Sequence, residues 1–341
     1  MVWSALSIAG GIANPTRLLP SYGPEILNKI FLDNTEKKQD MEKKRCWGSY
    51  LLLFGLLATL IAGCSDDDDD EDDDDSSGTG IPTLTMAWET TDITNPESAR
   101  YDAQREVIFV SHATNGGGIA KIGLDGQIQE LEWVTGLNAA RGVAIYGDRL
   151  YVGTDAGLVE INADDGTVLN TYYDPNMELP NDVAVDSSGN VYISETIGNA
   201  IYRLSEGTFE LWLQDEGLES PNGIYVEDDR LLVASFGVIT DFDTFAAIPA
   251  YIHTVSLTDK TIGNFTNAPV GNLDGIERDE NNNYFVTDWA TGTIFYVTFS
   301  GEVSRLLTLT QSVADLSYVQ DEKLLLVPWG KGRKVIAYTV Q

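Results

Sequence analysis

A pattern of about 40 residues recurs six times between residues 97 and 341, and this repeat restricts the fold more than any other feature of the sequence. The clearest copy, residues 180–214, reads PNDVAVDSSGNVYISETIGNAIYRLSEGTFELWLQ. Alternating apolar residues bounded by Gly, Asn, Asp and Ser predict four β-strands in it, at 182–185, 191–194, 200–204 and 209–213. A four-stranded unit of this length is typical of a propeller blade.

The six copies keep a common register. Each copy begins with a polar residue, at Glu97, Arg141, Asn181, Asn222, Asp274 and Asp315. A turn opens five residues after each of these start positions, and a second strand begins nine or ten residues after it. A chain of separate globular domains would not keep this spacing six times.

The ends of the repeat region predict how the ring closes. The last copy lacks a fourth strand, whereas residues 83–90 (TLTMAWET) precede the first copy and have no blade of their own. We therefore predict an all-β, six-bladed β-propeller over residues 81–341. Residues 83–90 would supply the outer strand of the last blade, which removes an exposed sheet edge.

The first 80 residues do not contain the repeat. Lys43, Lys44 and Arg45 precede an apolar run at 51–62, which is shorter than the roughly 20 residues of a membrane-spanning helix but suits a secretory signal. We interpret residues 41–63 as a signal peptide. Residues 1–40 have no comparable pattern, so we interpret them as a spurious upstream extension before a true start at Met41.

A candidate lipidation site follows the apolar run. Ala62 and Gly63 directly precede Cys64 and resemble the lipobox of bacterial lipoproteins. The resemblance implies cleavage before Cys64, a lipid on its sulfur, and a membrane-anchored outer-membrane lipoprotein of the bacterial cell envelope. The alternative is an uncleaved anchor with an incidental cysteine.

Ten acidic residues follow in succession at 66–75. Such a block repels itself and stays extended, so we interpret residues 64–80 as the lipidated cysteine and a disordered tether. The run also resembles the acidic stretch that directs some lipoproteins to the outer cell surface. Calcium capture is disfavoured, because an extended run is poorly preorganised for a metal.

Composition excludes several function classes. The chain has 21 Lys and Arg against 53 Asp and Glu, a net charge of −32, which argues against a nucleic-acid partner. A mature chain that keeps only Cys64 has no thiol catalyst and no disulfide. Two histidines leave little room for a zinc site built from His, and no Gly-x-Ser-x-Gly or phosphate-binding glycine motif occurs.

The start positions converge in the predicted fold, because the innermost strands line the channel and begin at one mouth. Glu97, Asn222 and Asp274 would offer two carboxylates and an amide oxygen there, a set that suits Ca²⁺ or Mg²⁺ better than zinc. Facing carboxylates repel one another without a cation. The alternative is that the polar residues only cap turns, as Asn and Asp often do.

The motifs at these positions resemble those of the gluconolactonase/regucalcin (senescence-marker-protein-like) family. The first-blade motif is NPESARYD around Glu97, and the third, fourth and fifth are LPNDVAVDSSGNVYISE, SPNGIYVEDDRLLVAS and LDGIERDENNNYFVTDW. The resemblance implies a calcium or similar divalent ion held by Glu97, Asn222 and Asp274. It further implies that Asn181 contacts substrate or a water on the ion, and that Asp274 is the catalytic base in the hydrolysis of a cyclic ester.

Four features bear on the substrate. Family hydrolases often carry an Arg where this chain has Leu179, and Arg141 either binds an anionic substrate group in its place or neutralises Glu97. His112 lies in a predicted loop at the same mouth and is a candidate proton shuttle for bound substrate, or a structural residue. The long connection at 236–249 is a candidate lid or substrate wall, or a loop packed on its neighbour.

Two functions remain open at this point. The first is a metal-dependent hydrolase that acts on a lactone or related ester, with a sugar-derived substrate as one candidate. The second is a non-catalytic propeller that binds a ligand or a protein while calcium stiffens its channel, since fold does not set function.

Overall fold

The computed structural model describes residues 80–114 and 116–341. The predicted signal peptide, Cys64 and the acidic run lie outside the described residues. Within them, the chain forms six four-stranded antiparallel sheets and one two-stranded hairpin. Two short 3-10 helices interrupt the strands, at Glu216–Leu218 and Gln320–Glu322, and the described part contains no helix long and apolar enough to cross a membrane.

The strands follow the chain in blade order after β1 (Leu84–Thr91). Blade one contains β2 (Pro96–Asp102), β3 (Val107–His112), β4 (Ile119–Ile122) and β5 (Ile128–Val134). Blade two contains β6 (Val143–Tyr146), β7 (Arg149–Thr154), β8 (Gly157–Asn162) and β9 (Val168–Tyr172). Blade three contains β10 (Pro180–Val185), β11 (Val191–Glu195), β12 (Ala200–Ser205) and β13 (Thr208–Gln214).

The second half of the ring has the same organisation with one insertion. Blade four contains β14 (Pro221–Val226), β15 (Arg230–Ser235), then the hairpin β16 (Val238–Asp241) and β17 (Ala246–Ile248), followed by β18 (Ile252–Ser256) and β19 (Ile262–Asn264). Blade five contains β20 (Leu273–Arg278), β21 (Tyr284–Asp288), β22 (Thr293–Val297) and β23 (Val303–Thr308). Blade six contains β24 (Ser317–Val319), β25 (Leu324–Trp329) and β26 (Lys334–Val340).

The ring closes through the strand that precedes the first blade. β1 pairs antiparallel with β26, from Leu84 opposite Val340 to Thr91 opposite Lys334, and the sheet order is β1-β26-β25-β24. The prediction of a six-bladed propeller whose last blade takes its outer strand from the N-terminal side is therefore confirmed.

The core lies between the blades. In β3, Val107 and Phe109 pack with apolar residues of blade two, whereas Ile108 and Val110 pack with those of blade six. The other second strands alternate in the same way, which produces six apolar clusters, one at each boundary between blades. A strand buried on both faces reads as a continuous apolar run, which explains the second-strand motifs of the repeat.

A bulge near the start of several inner strands turns their first residues. The register with the second strand shifts between Pro96 and Ala99 in blade one, and at the corresponding place in blades three and five. A second-strand hydroxyl accepts the displaced backbone N–H in each case: Ser111 from Ser98, Ser194 from Asp182, and Thr287 from Gly275. The bulge thus presents the preceding side chain at the channel mouth.

Candidate functional site

A cavity opens at the mouth of the channel, where the inner strands begin. Its volume is about 170 Å³. Its polar lining consists of Glu97, Arg141, Asn181, Thr196, Asn222 and Asp274, and its apolar lining consists of Leu179, Phe236, Phe245 and Trp289. Five of the six polar residues are start positions of the repeat, so the register predicted from the sequence brings them into one place.

One of the three predicted metal ligands, Asn222, has a buried oxygen atom without a protein donor among the described residues. The Asn222 amide donates from Nδ2 to the backbone carbonyl of Leu273 (3.1 Å), whereas its buried Oδ1 has no hydrogen-bond partner among the described residues. Asn222 and Asp274 are almost fully buried, at 4% and 8% exposure, and Glu97 is half-buried. An unpartnered buried amide oxygen costs free energy unless a cation or a donor satisfies it.

Burial sets the charge state of the two carboxylates. It raises the pKa of Glu97 to about 7, with the positive charge of Arg141 opposing the shift and Asp315 adding to it. Burial also raises the pKa of Asp274 well above its ordinary value, and the charge of Glu97 raises it further. Two ionised carboxylates in one buried place therefore need a positive charge, which a bound cation would supply.

The ligand atoms of the three predicted metal ligands determine which cation they suit. No group of three or more His, Cys, Asp and Glu side chains in the described part of the chain is placed to hold a metal. Glu97, Asn222 and Asp274 provide two carboxylates and one amide oxygen instead. Oxygen ligands without imidazole or thiolate fit a hard cation such as Ca²⁺ or Mg²⁺, so these residues fit the predicted ion and do not fit zinc.

Arg141 is held by protein groups. Its guanidinium donates to the backbone carbonyl of Pro180 (3.0 Å) and to Asp155 Oδ1 (2.8 Å). Its charge lowers the pKa of Glu97. Of the two roles that the sequence leaves open, the contacts favour charge neutralisation, because the guanidinium already has a carboxylate partner.

Asn181 and Thr196 form a short hydrogen-bonded chain at the cavity wall. Asn181 Nδ2 donates to Thr196 Oγ1 (3.1 Å), and Thr196 Oγ1 donates to the backbone carbonyl of Pro221 (2.9 Å). The chain links blade three to blade four and fixes the Asn181 side chain. The Asn181 carbonyl oxygen and one amide hydrogen remain to contact a ligand.

An ionic network lies below the cavity along the channel. Arg100 pairs with Glu277 and approaches Asp315 Oδ2 at 3.8 Å, and Ser98 Oγ donates to the same Oδ2 (2.6 Å). Burial opposes the charge of Arg100, but Glu277, Asp315 and Asp182 outweigh it and raise the Arg100 pKa. Burial raises the pKa of Asp315 to about 6, against the influence of Arg100 and Ser98.

Asp182 also belongs to this part of the channel. Its carboxylate accepts the backbone N–H groups of Val183 (2.7 Å) and Ile224 (2.8 Å), which joins blades three and four. Burial, followed by the charge of Asp315, raises its pKa well above the ordinary value. Glycines at neighbouring inner positions allow the close approach, since a Cβ on Gly142 would collide with Asp182.

The insertion of blade four forms the apolar side of the cavity. Phe236 follows β15, and Phe245 ends the turn of the β16–β17 hairpin with a φ of 53°. The ring of Phe236 makes edge contacts with those of Phe245 (centroids 6.3 Å apart) and Trp289 (6.0 Å apart). The segment predicted to be a lid or a substrate wall therefore lies at the cavity.

The two histidines lie elsewhere. His112 ends β3 opposite Pro96 and is not among the residues that line the cavity. Burial lowers its pKa, and its buried Nε2 has no partner among the described residues. His253 is buried within β18 and contacts Asn264 and Glu219. It is a packed side chain.

The sequence did not individually identify five residues of the site and the channel: Thr196, Phe245, Arg100, Asp182 and Glu277. Arg100 and Glu277 each follow a start position by three residues, so the repeat register itself holds the signal that places them at one level of the channel. Phe245 lies in an insertion without a counterpart in the other blades, and its position could not be read from the repeat.

Comparison with known proteins agrees with this architecture. Residues 91–316 match the model of the SMP-30/Gluconolactonase/LRE-like region. The sequence has no significant match among curated proteins.

Solved structures with the same fold belong to more than one kind of enzyme. A gluconolactonase from Xanthomonas campestris is 15% identical, with a TM-score of 0.59 over 77% of this chain and 96% of that chain. A virginiamycin B lyase from Staphylococcus aureus is 16% identical, with a TM-score of 0.55 over 76% of this chain and 99% of that chain. At this identity the likeness establishes the fold and leaves the reaction to the residues of the site.

Proposed function

The chain belongs to the SMP-30/gluconolactonase/LRE-like family, and from this premise we propose that it is a divalent-cation-dependent hydrolase of a lactone or related cyclic ester. One observation carries the proposal. Two carboxylates with raised pKa values, Glu97 and Asp274, share a cavity with the unpartnered Oδ1 of Asn222. We assign these three side chains to the cation, with calcium as the first candidate.

The chemistry divides between the cation and the protein. A bound cation would polarise the ester carbonyl and stabilise negative charge on its oxygen. Asp274 accepts the proton of the attacking water, and burial helps it, because a raised pKa makes a carboxylate a stronger base. Asn181, fixed by Thr196, orients the substrate at the cavity wall.

The nature of the cavity lining supports a carboxylate base. Neither His112 nor His253 is among the lining residues, and no Cys occurs among the described residues. Asp274 and Glu97 are the two lining residues with a carboxylate that can accept a proton. A mechanism that depends on imidazole or thiolate chemistry is therefore disfavoured.

A second candidate function has its own supporting observation. Leu179 occupies the position at which related hydrolases often carry an Arg, and Arg141 is already engaged by Asp155 and Pro180. A cavity with few free polar groups also suits a non-catalytic propeller, in which the cation stiffens the channel and the mouth binds a ligand.

Calcium titration combined with a lactone panel tests both candidates. We expect wild type to bind calcium and to hydrolyse at least one lactone, and Asp274→Ala to lose both properties. Asp186→Asn is the matched control, because Asp186 closes an outer turn by accepting the Ser188 and Asn190 N–H groups. Calcium binding without turnover of any lactone would support the non-catalytic candidate, and absence of both calcium and magnesium binding by wild type would refute both.

We also propose that Cys64 carries a lipid that anchors the propeller to the bacterial envelope. The support is the apolar run followed by Ala62, Gly63 and Cys64 in the sequence. Metabolic labelling with a fatty acid tests this. Label on wild type and none on Cys64→Ser supports the anchor, whereas equal label on both, or label on neither, refutes it.

A further inference from the structure

One side of the cavity is apolar and aromatic. Phe236, Phe245 and Trp289 form a connected group of rings, and Leu179 adds an aliphatic side chain to the same lining. Phe236 is buried, while Phe245, Trp289 and Leu179 are half-buried. We refer to these four residues as the apolar wall. When a ligand covers half-buried apolar surface at a concave site, the burial stabilises the complex.

The apolar wall is held in place by the backbone at the base of the insertion. The N–H groups of Phe236 and Gly237 donate to the carbonyls of Ser220 and Glu219 (2.8 Å each), and Asn272 Nδ2 donates to the carbonyl of Phe236 (2.7 Å). Gly237 has a φ of 100°, and a Cβ there would collide with the carbonyl of Ile248. A preformed wall loses little conformational entropy on binding.

Much of the polar lining is already engaged by protein groups, although Asn181 keeps its carbonyl oxygen and one amide hydrogen for a ligand. Thr196 donates to Pro221, Asn181 donates to Thr196, and the guanidinium of Arg141 is shared between Pro180 and Asp155. Glu97, Asn222 and Asp274 are assigned to the cation. A ligand with a hydroxyl on each ring carbon would leave many of these hydroxyls without partners, which costs free energy on burial.

From this division we infer that the cavity selects a lactone that carries an aryl or extended alkyl group beside its ester ring, and disfavours a polyhydroxylated sugar lactone. The apolar group would lie on Phe245 and Trp289 while the ester faces the carboxylates. This inference rests on the proposed function for the ester, but the binding preference follows from the apolar wall.

Two lactams that cannot be hydrolysed as esters test the binding preference directly. 3,4-Dihydro-2-quinolinone is the lactam counterpart of dihydrocoumarin, and the lactam of gluconic acid is the polyhydroxylated counterpart. Calorimetric titration of the full chain in calcium buffer should give a dissociation constant at least about tenfold lower for the aryl lactam. Equal binding, tighter binding of the sugar lactam, or no binding of the aryl lactam would overturn the inference.

Variants on the hairpin test whether the apolar wall is responsible. Phe245→Ala should weaken binding of the aryl lactam about tenfold or more, since the removed ring contributes buried apolar area. Phe245→Leu should fall between wild type and alanine. Phe242→Ala is the matched control on the same hairpin, because Phe242 is 57% exposed and does not line the cavity. Unchanged binding by Phe245→Ala would overturn the inference.

A turnover assay separates this inference from the proposed function. Dihydrocoumarin and glucono-1,5-lactone are supplied to the wild-type chain with calcium. Preferred hydrolysis of dihydrocoumarin supports both, whereas preferred hydrolysis of gluconolactone supports the hydrolase and overturns the substrate class. Preferential aryl-lactam binding without turnover of either lactone supports the ligand class, and turnover of no lactone in the wider panel would then refute the hydrolase.

Discussion

The hydroxyl of Ser194 donates a hydrogen bond to the backbone carbonyl of Asn222 at 2.6 Å, across the boundary between blades three and four. The same oxygen accepts the N–H of Asp182 at 2.9 Å. One side chain on a second strand thus connects the bulge of its own blade to a proposed cation ligand on the next blade. Ser194 is therefore a positioning residue for Asn222.

Replacing Ser194 tests this connection. Ser194→Ala should reduce calcium affinity by about 10-fold or more, as losses of groups that orient metal ligands commonly do. Ser235→Ala is the matched control, because Ser235 is equally buried and donates to the backbone carbonyl of Leu218 rather than to a proposed cation ligand. Titration calorimetry measures both. Equal calcium affinities for Ser194→Ala and Ser235→Ala would show that Ser194 does not position the site.

The metal-free protein should become more stable when Asp274 loses its charge. Asp274→Asn removes a buried carboxylate beside Glu97, so the free energy of unfolding without calcium should rise by about 1 kcal/mol or more. Urea denaturation in a chelating buffer measures the change.

A second buried aspartate provides the contrast. Asp279 accepts the N–H groups of Asn281 and Asn283 and the hydroxyl of Tyr296, so Asp279→Asn should lower the free energy of unfolding by about 1–3 kcal/mol. A loss of stability in Asp274→Asn as large as that in Asp279→Asn would contradict the repulsion between Asp274 and Glu97.

Stability of the metal-free protein should fall as pH rises from about 4.5 to about 7. The pKa of Glu97 rises from 4.5 to about 7 on folding, so the folded state binds more protons than the unfolded state in this window. Glu97 therefore destabilises the fold above that window, and Asp315, with a pKa of about 6, acts in the same direction. Urea titrations at several pH values measure the slope.

The same titrations contain their own controls. Glu97→Gln should flatten the slope, and saturating calcium should reverse it, because the cation binds the ionised carboxylate. Stability that increases with pH in the chelated wild-type protein would refute the assignment.

Arg141 should control the pH at which calcium binds. Arg141→Gln removes the positive charge that lowers the pKa of Glu97, so the midpoint of calcium binding should shift to higher pH. Arg149→Gln is the control, since Arg149 pairs with Asp148 and Glu160 on the same blade and does not line the cavity. Calorimetric titrations across a pH series compare the midpoints, and a midpoint that stays at its wild-type value in Arg141→Gln would rule out this role.

The sequence was sufficient to predict the ring and most of the polar lining of the cavity, and the reason is physical. Blade strands are buried on both faces by their neighbours, so the apolar runs and turn residues repeat in register. That register places Glu97, Asn222 and Asp274 together, although they lie far apart in the chain. It also identifies residues 83–90 as a strand that belongs to no copy of the repeat.

Contacts that depend on side-chain direction could not be read in this way. His112, predicted to lie in a loop, is the last residue of β3, pairs with Pro96 and does not line the cavity. Phe245 reaches the cavity through a hairpin whose turn has no counterpart in the repeat. Ser194 resembles any small strand residue until the bulge opposite it is seen.

The pairing of β1 with β26 is the contact that closes the ring. Leu84 meets Val340, so the contact that completes the circle joins the first and last strands of the described chain. Loop-closure entropy and high contact order make such a contact slow to form, because the two strands lie at opposite ends of the repeat region. Until β26 pairs with β1, the blades form an open arc with an unpaired edge, so closing the ring also removes an edge that is prone to aggregation.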